Sequence, residues 1–195
     1  MATFVLATAN AHKAQEIRHA LEPYGIDLLP RPLDMVDVDE TEETLEGNAL
    51  LKARALTDAT GLPAIADDTG LFIDALEGRP GVYSARYAGE NATFADNVSK
   101  ALTELDGVDD ERRSARFRSV IAVTYPDGTS WWVDGVLDGM ILHSPIGEHG
   151  FGYDVIFAPS NFGGSSLAQM SPDEKSAISH RGQALRAFAE KVVSF

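Results

Sequence analysis

Hydrophobic and polar positions along the chain form two kinds of pattern, which together predict a mixture of strands and helices. Short apolar runs, typical of buried strands, occur at residues 3–7, 26–29, 63–66 and 155–158, with a further strand or turn at 71–76. Apolar residues at helical spacing predict helices over about residues 14–21, 48–60, 91–105 and 181–193. Gly61 follows the second helix in the usual place for a left-handed cap.

Turn and cap signals complete this pattern. Two strand-like stretches, residues 116–125 and 129–137, flank Pro126-Asp127-Gly128, which is typical of a hairpin. The run Ser171-Pro172-Asp173-Glu174 places Ser at the N-cap of a helix, Pro at its first position and Glu at its third. This mixture of strands and helices around a central hairpin predicts the α/β class with a mixed sheet.

The composition is that of a folded chain. Its 195 residues suit one domain or two small lobes sharing a core, and 44% hydrophobic with 24% charged residues argues against extensive disorder. The absence of cysteine excludes disulfides, a thiolate nucleophile and a cysteine zinc site. No apolar run has membrane-spanning length. Residues 1–8 have no basic region before their apolar run, so we expect a first strand rather than a secretion signal, and a cytoplasmic protein.

The charge of the chain limits its partners. Lys and Arg number 16 against 30 Asp and Glu, a formal net charge of −14, so a surface that grips nucleic-acid phosphates is not expected. The same acidity repels small anions at long range, so a phosphate compound needs a local cluster of cations, with or without a metal. Two of the five lysines, Lys13 and Lys175, fall in polar, turn-like segments beside other functional side chains.

The segment Thr8-Ala9-Asn10-Ala11-His12-Lys13 joins the first strand to the first helix. A helix N-terminus exposes backbone N–H groups at the positive end of the helix dipole. Thr8 and Asn10 add side-chain donors and Lys13 adds a charge, which suits a triphosphate. The segment matches neither standard glycine motif for nucleotides. Taken alone, it favours the simpler interpretation in which Thr8 or Asn10 caps the helix and Lys13 is solvated.

Two carboxylates follow the strand at 63–66, in Asp67-Asp68-Thr69-Gly70. Such carboxylates are costly to bury unless they are paired, solvated or bound to a metal, and oxygen ligands suit Mg²⁺ or Mn²⁺. The spacing alone favours a metal site and an acidic turn about equally, and Thr69 breaks the D-x-D motif of haloacid-dehalogenase-type phosphatases. A further ligand is available in the acidic run Asp37, Asp39, Glu40, Glu42 and Glu43.

The segment Phe151-Gly152-Tyr153-Asp154 places a glycine between two aromatic residues. The glycine lets a flat ring approach the backbone, and Asp154 is able to accept a hydrogen bond from a base or a ribose. Stacking of an aromatic ring on a nucleobase contributes about 1–3 kcal/mol in proteins that bind single strands. In isolation, core aromatic residues at the start of a strand are a slightly better interpretation.

The segment Glu174-Lys175-Ser176-Ala177-Ile178-Ser179-His180-Arg181-Gly182 concentrates cations in an acidic chain. A charged helix end is one interpretation, since Arg and His are common at helix termini. The grouping of Lys175, His180 and Arg181 instead favours a contact with an anion or a base.

These segments together resemble one known family, the inosine/xanthosine triphosphate pyrophosphatases, which remove deaminated purine nucleotides. The similarity spans nearly the whole chain, and its motifs occur in the order of the family. They are Ala7–Lys13, Asn48–Ala53, Ala66–Leu71, Pro80–Gly89, Gly150–Asp154 and Glu174–Gly182.

The resemblance implies a role for each group of residues. Asp68 would ligate Mg²⁺ together with Glu40 and would also act as the base that activates water, with Mn²⁺ as a substitute ion. Lys13 and Lys175 would stabilise charge on the phosphate oxygens as further catalytic residues. The remaining substrate contacts would come from Thr8, Ala9, Asn10, Ala11 and His12 at the phosphates, Thr69, and Phe151, Gly152, Tyr153, Asp154, Lys175, His180 and Arg181 at the base and sugar.

The resemblance also implies a fold and an assembly. The family fold is an elongated, twisted mixed sheet flanked by helices, so residues 1–195 would form a single domain of two lobes with the substrate in a central cleft. Homodimers are usual in the family. The reaction implied is attack of water at the α-phosphorus, which expels pyrophosphate and leaves a nucleoside monophosphate.

Two positions depart from the family pattern. The family usually has glycine where this chain has Ala9. Its common acidic residue before Asn-Ala is Gly47 here, which places Glu46 off register and makes Glu40 the preferred metal ligand over Asp39 and Glu43. Two alternatives to ITP, dITP or XTP hydrolysis stay open: a related enzyme, either a Maf-like pyrimidine nucleotide pyrophosphatase or a general metal phosphatase, and a noncatalytic nucleotide-binding protein.

Overall fold

The structure, a computed structural model, describes residues 2–36 and 38–193, so Asp37 of the acidic run lies outside the described residues. Its strands are β1 (Thr3–Leu6), β2 (Asp27–Pro30), β3 (Ala64–Ile73), β4 (Pro80–Gly81), β5 (Ser114–Thr124), β6 (Ser130–Ile141) and β7 (Phe157–Pro159). Its α-helices are α1 (Ala11–Leu21), α2 (Leu45–Thr60), α3 (Phe94–Glu104), α4 (Pro172–Ile178) and α5 (His180–Val193). Short 3₁₀ turns lie between them, among them Gly152–Ile156.

The strands form a mixed sheet in the order β2-β1-β3-β5-β6-β7, with β4 paired to β3. Strand β1 runs parallel to β2 and to β3, as the helices that connect them require. Antiparallel pairs are β3 with β4 and β6 with β7. The predicted α/β class with a mixed sheet flanked by helices is confirmed.

The chain folds as two compact units, each with its own apolar core. The first unit contains the described residues of Met1–Asp68, Ser119–Gly135 and His180–Phe195, and the second contains Thr69–Arg118 and Val136–Ser179. In the first core, α1 and α5 pack with the buried side chains of Phe4, Ile17, Leu21, Ile65 and Phe188. The second core is built around Leu71, Leu105, Phe117, Ile156 and Phe157. The assignment of residues 1–195 to a single domain stays a prediction.

The local sequence signals for helix ends are confirmed. Gly61 caps α2 with a φ of 67°, in the left-handed region that only glycine adopts at little cost. Ser171 and Glu174 form a capping box at the start of α4, with Pro172 at its first position. The hairpin between β5 and β6 closes with a hydrogen bond from the Tyr125 N–H to the Thr129 carbonyl, 2.9 Å.

Three of the boundaries that differ from the predicted ones lie at candidate site residues. Helix α1 begins at Ala11 rather than about Ala14, so Lys13 lies in its first turn and not in a loop. The predicted strand at 155–158 begins only at Phe157, because residues 152–156 form the 3₁₀ turn. Strand β3 continues through Asp67, Asp68 and Thr69 to Ile73, so the acidic turn is wrong. The strand tolerates both carboxylates because each is paired with cations from other elements.

Within the described residues, no helix combines the length and the apolar character that crossing a bilayer requires.

Candidate active site

Asp67 lies on β3 and is the centre of a buried ion-pair network in the first unit. Asp67 is 2% exposed. One carboxylate oxygen, Oδ2, is 2.6 Å from the Nζ of Lys13, and the other, Oδ1, accepts a hydrogen bond from the Nε of Arg181 at 3.0 Å. Arg181, also 2% exposed, donates from Nη1 to Glu16. Asp67 therefore holds a helix residue of α1 and one of α5 against the same strand.

Asp68, the next residue of β3, has a different set of partners. Its Oδ1 accepts a hydrogen bond from the Nζ of Lys52 at 2.7 Å, and the same Nζ donates to Oε1 of Glu40, also at 2.7 Å. The second oxygen of Asp68, Oδ2, is buried and has no hydrogen-bond partner among the described residues. A strand, a helix and the loop before α2 thus bring two carboxylates onto one ammonium group.

The environments of these two aspartates move their pKa values in opposite directions. Burial alone raises the pKa of Asp67, but the charges of Arg181 and Lys13 outweigh it and hold the pKa well below its usual range. Burial raises the pKa of Asp68 to about 6; the charges of Lys52 and Lys13 oppose this effect, while Glu40 adds to it. Two carboxylates around one ammonium raise the pKa of Lys52 despite its burial.

The residues at the start of α1 are arranged by capping. The Oδ1 of Asn10 accepts from the backbone N–H groups of His12 at 3.0 Å and Lys13 at 3.3 Å, and the Oγ1 of Thr8 accepts from the Asn10 N–H at 3.1 Å. Asn10 is therefore the helix cap, as its type predicts. Lys13, by contrast, is not solvated but paired with Asp67. Ala9 and Ala11 are exposed at the surface of this segment.

In the second unit, Asp154 and Lys175 form a buried pair beside an aromatic ring. The Nζ of Lys175 donates to Oδ2 of Asp154 at 2.5 Å and lies 5.0 Å from the centroid of the Phe151 ring. The Phe151 N–H also donates to Oδ2 of Asp154, and the Phe94 ring is 5.8 Å from that of Phe151. Phe151 is half-buried.

Other predicted residues of the second unit have structural contacts. Tyr153 is buried, and its hydroxyl donates to the backbone carbonyl of Ser84 at 3.0 Å, so it acts as a core residue here. Gly152 has a φ of 62°. A side chain at Gly150 would come within 2.2 Å of the Asp154 carboxylate, so glycine is needed for that close approach. Thr69 is half-buried at the point where β3 enters this unit.

His180 and Arg181 begin α5 and are both 2% exposed. The structure brings Arg181 to Asp67 in the first unit, together with Lys13, whereas Lys175 belongs to the second unit. Arg181 pairs with the carboxylates of Asp67 and Glu16, and their charges outweigh burial and raise its pKa further.

The carboxylates around Lys52 suit a divalent cation of the magnesium type. No three His, Asp or Glu side chains gather in residues 2–36 and 38–193 as a metal-holding group. Mg²⁺ does not need such a cage, because it is usually held by one or two carboxylates, several waters and substrate phosphates. The carboxylates of Glu40 and Asp68 converge on the ammonium group of Lys52. The buried Oδ2 of Asp68, which has no hydrogen-bond partner among the described residues, offers a further ligand atom. Asp39 and Glu43 are exposed.

Sequence reasoning missed two residues of the network. Lys52 lies within the motif Asn48–Ala53, and its position four residues after Asn48 on the same helix is a usable signal. Glu16 gave no signal, because its partner Arg181 is 165 residues away in the chain.

Comparison with known proteins places this chain in a family. The model of the Ham1 family matches residues 4–191. The dITP/XTP pyrophosphatase of Nitratidesulfovibrio vulgaris is 50% identical, with 97% of this chain and 95% of that protein covered, and that of Idiomarina loihiensis is 48% identical, with 97% of each covered. A Ham1 protein structure from Coxiella burnetii has a TM-score of 0.90 at 41% identity over the whole of both chains. These names confirm the predicted family resemblance. The chain belongs to the Ham1 family.

Proposed function

We propose that this protein hydrolyses the non-standard purine nucleoside triphosphates ITP, dITP and XTP to the nucleoside monophosphate and pyrophosphate. The printed name of the relatives, dITP/XTP pyrophosphatase, supports this reaction class. The single structural observation that carries the proposal is the convergence of the Glu40 and Asp68 carboxylates on the ammonium group of Lys52. Hydrolysis of such nucleotides removes deaminated purines from the nucleotide pool.

Glu40 and Asp68 are the residues proposed to hold Mg²⁺, with Mn²⁺ as a substitute. When bound, the ion offsets phosphate charge and orients the phosphate chain. Lys52 Nζ already lies between the two carboxylates, which supports a site built for positive charge. The unpaired Oδ2 of Asp68 supports a role for this residue beyond its contact with Lys52.

Asp68 is the proposed general base. It accepts a proton from a water molecule, whose oxygen forms a bond to the α-phosphorus while the bond from that phosphorus to the bridging oxygen breaks and pyrophosphate leaves. Lys13 and Lys175 are proposed to stabilise the charge on the phosphate oxygens.

The proposed substrate contacts form two groups of residues. At the start of α1, residues 8–13 offer the positive end of a helix to phosphate, while the N–H groups of Asn10, His12 and Lys13 donate to capping oxygens within the segment. The half-buried ring of Phe151, fixed by Asp154 and Lys175, offers a stacking surface to a base. The other proposed contacts to the base, sugar or phosphates are Thr69, Gly152, Tyr153, His180 and Arg181.

We further propose that the protein acts in the cytoplasm as a homodimer, with nucleotides rather than nucleic acids or membranes as partners. The net charge of −14 supports the exclusion of nucleic acids, because a chain that must attract a nucleic-acid backbone is expected to be basic.

A panel of triphosphates tests the proposal. Purified protein is given ITP, dITP, XTP, ATP, GTP and pyrimidine triphosphates with Mg²⁺, and orthophosphate and pyrophosphate are measured separately. We expect pyrophosphate from the three non-standard purine nucleotides, and about 10²-fold less from Asp68→Asn. Preference for a pyrimidine triphosphate would favour a Maf-like enzyme, orthophosphate would favour a general phosphatase, and binding without turnover would favour a noncatalytic protein.

A further inference from the structure

The loop that carries Glu40 has no regular structure of its own. Residues 38–44 form neither helix nor strand before α2 begins at Leu45. The distance between Glu40 and Asp68 therefore depends on the contacts that fix this loop. Helix α2 provides two of these contacts, from residues one helical turn apart on the same face, Asn48 and Lys52.

Asn48 holds the loop by its backbone. The Oδ1 of Asn48 accepts from the Glu42 N–H at 3.0 Å, and the Nδ2 of Asn48 donates to the Glu42 carbonyl at 3.1 Å. Asn48 is 0% exposed, so its side-chain amide is buried and makes both of these bonds to the Glu42 backbone. Only one residue separates Glu42 from Glu40. The paired bonds consequently fix both the position and the orientation of the chain next to Glu40.

The loop also packs tightly on α2 at this point. A Cβ atom added to Gly47 would come within 2.7 Å of the Glu42 Cβ, closer than real side chains approach. The absence of a side chain at position 47 is thus a condition for the backbone contact made by Asn48.

The second anchor, Lys52, binds the side chains of Glu40 and Asp68 directly. A cation bound by these carboxylates competes with Lys52 for the same oxygens. The bonds of Asn48 involve only backbone atoms of Glu42, so they persist in both situations. Asn48 is therefore the anchor that keeps Glu40 facing Asp68 when a bound cation replaces the Lys52 ammonium group between the two carboxylates.

We propose that Asn48 is a positioning residue, which sets the affinity for the divalent cation through the loop that carries Glu40. This inference rests on the proposed function, because it requires that Glu40 and Asp68 hold the ion. Groups that orient metal ligands without touching the metal commonly change affinity by about 10–100-fold when they are mutated.

The test measures Mn²⁺ binding to the protein in complex with a non-hydrolysable α,β-methylene analogue of ITP, with the analogue alone as the blank, from the signal of free Mn²⁺ in electron paramagnetic resonance. Asn48→Ala removes both bonds to Glu42, and Asn48→Leu removes them while filling the space. Thr57→Val is the matched control, since Thr57 is a buried polar residue of the same helix that bonds to the Thr124 carbonyl at 3.2 Å. Thermal melts of all variants measure the loss of stability.

We expect Asn48→Ala and Asn48→Leu to weaken Mn²⁺ binding by about 10-fold or more, while Thr57→Val loses stability and binds as the wild type does. Wild-type affinity in a folded Asn48 variant overturns the inference, as does failure of both variants to fold, which would make Asn48 a folding determinant. If the wild type itself shows no binding that Asp68→Asn abolishes, the proposed metal site fails instead. The two failures are thus distinguishable.

Discussion

Asp67 and Asp68 are consecutive residues of β3 with opposite acid–base properties. Asp67, paired with Lys13 and Arg181, keeps its charge, whereas the pKa of Asp68 rises to about 6 because it is buried with only part of its charge balanced. Side chains of consecutive strand residues point to opposite faces, which lets two neighbours meet different partners. The difference between the two pKa values separates a structural carboxylate, Asp67, from a reactive one, Asp68.

The activity of Asp68→Asn tests this division. The substitution keeps the shape of the side chain but removes the charge that holds the cation and the site that accepts a proton. We expect turnover of ITP to fall by about 10²-fold or more. Steady-state kinetics with saturating Mg²⁺ measure the change, and turnover near the wild-type value would remove Asp68 from its proposed role.

The stability of the same variant carries a pH signature. In metal-free protein, the raised pKa of Asp68 means that the folded state binds more protons than the unfolded state between the ordinary carboxyl value and pH 6. Wild-type stability therefore declines across this window as pH rises. We expect Asp68→Asn, melted in the presence of a chelator, to match the wild type near pH 4 and to be several degrees more stable at pH 8, at about 2–4 °C per kcal/mol. A lower melting temperature at pH 8 would contradict the assignment of a destabilising charge.

Asp67→Asn has the opposite character. The lowered pKa of Asp67 contributes stability that is present above the ordinary carboxyl pKa and is lost only in strong acid. Neutralising this residue leaves two cations with a missing partner, and breaking a buried pair costs about 3–5 kcal/mol. We expect a large fall in melting temperature but a smaller loss of turnover than in Asp68→Asn. The exposed Asp58 of α2 is the control, and equal melting temperatures for Asp67→Asn and Asp58→Asn would be inconsistent with this account.

Local sequence signals predicted the parts of the site that local interactions determine. The sequence predicts a helix cap at Thr8 or Asn10, and the structure shows Asn10 in that role. The choice of Glu40 as a metal ligand comes from the family resemblance and stays a prediction; its carboxylate lies at the same ammonium group as that of Asp68. The continuation of β3 through Asp67 and Asp68 was missed. The strand accommodates both carboxylates because Lys13, Lys52 and Arg181 pair with them. A single sequence does not show which cations pair with carboxylates far along the chain.

The aromatic segment shows the same limit. Phe151 and Tyr153 have equivalent positions around Gly152 in the sequence, yet Phe151 is half-buried and Tyr153 is buried. Tyr153 is withdrawn by its hydrogen bond to the Ser84 carbonyl, 69 residues earlier. Asp154 forms an ion pair with Lys175. The sequence interpretation of Asp154 as a hydrogen-bond acceptor for a base or ribose did not include this ion pair.

Arg181→Ala tests how the site distinguishes purines. A permanent donor near the base favours the 6-keto oxygen of inosine and xanthine over the 6-amino group of adenine, whereas guanine shares the keto oxygen. We expect the variant to lose ITP activity and to lose more of its preference over ATP than over GTP. Values of kcat/KM for the three nucleotides measure this, at a temperature where the variant is folded. Unchanged preferences with lower activity would assign Arg181 to phosphate, sugar or the Asp67 ion pair alone.

The central claim, hydrolysis by attack of water at the α-phosphorus, is tested most directly by the fate of the water oxygen. ITP is hydrolysed with Mg²⁺ in ¹⁸O-enriched water, and the products are analysed by ³¹P nuclear magnetic resonance. The account predicts IMP and pyrophosphate as the first products, with the heavy oxygen on the phosphorus of IMP and none in pyrophosphate. Heavy oxygen in pyrophosphate, or release of labelled orthophosphate with IDP, would contradict it.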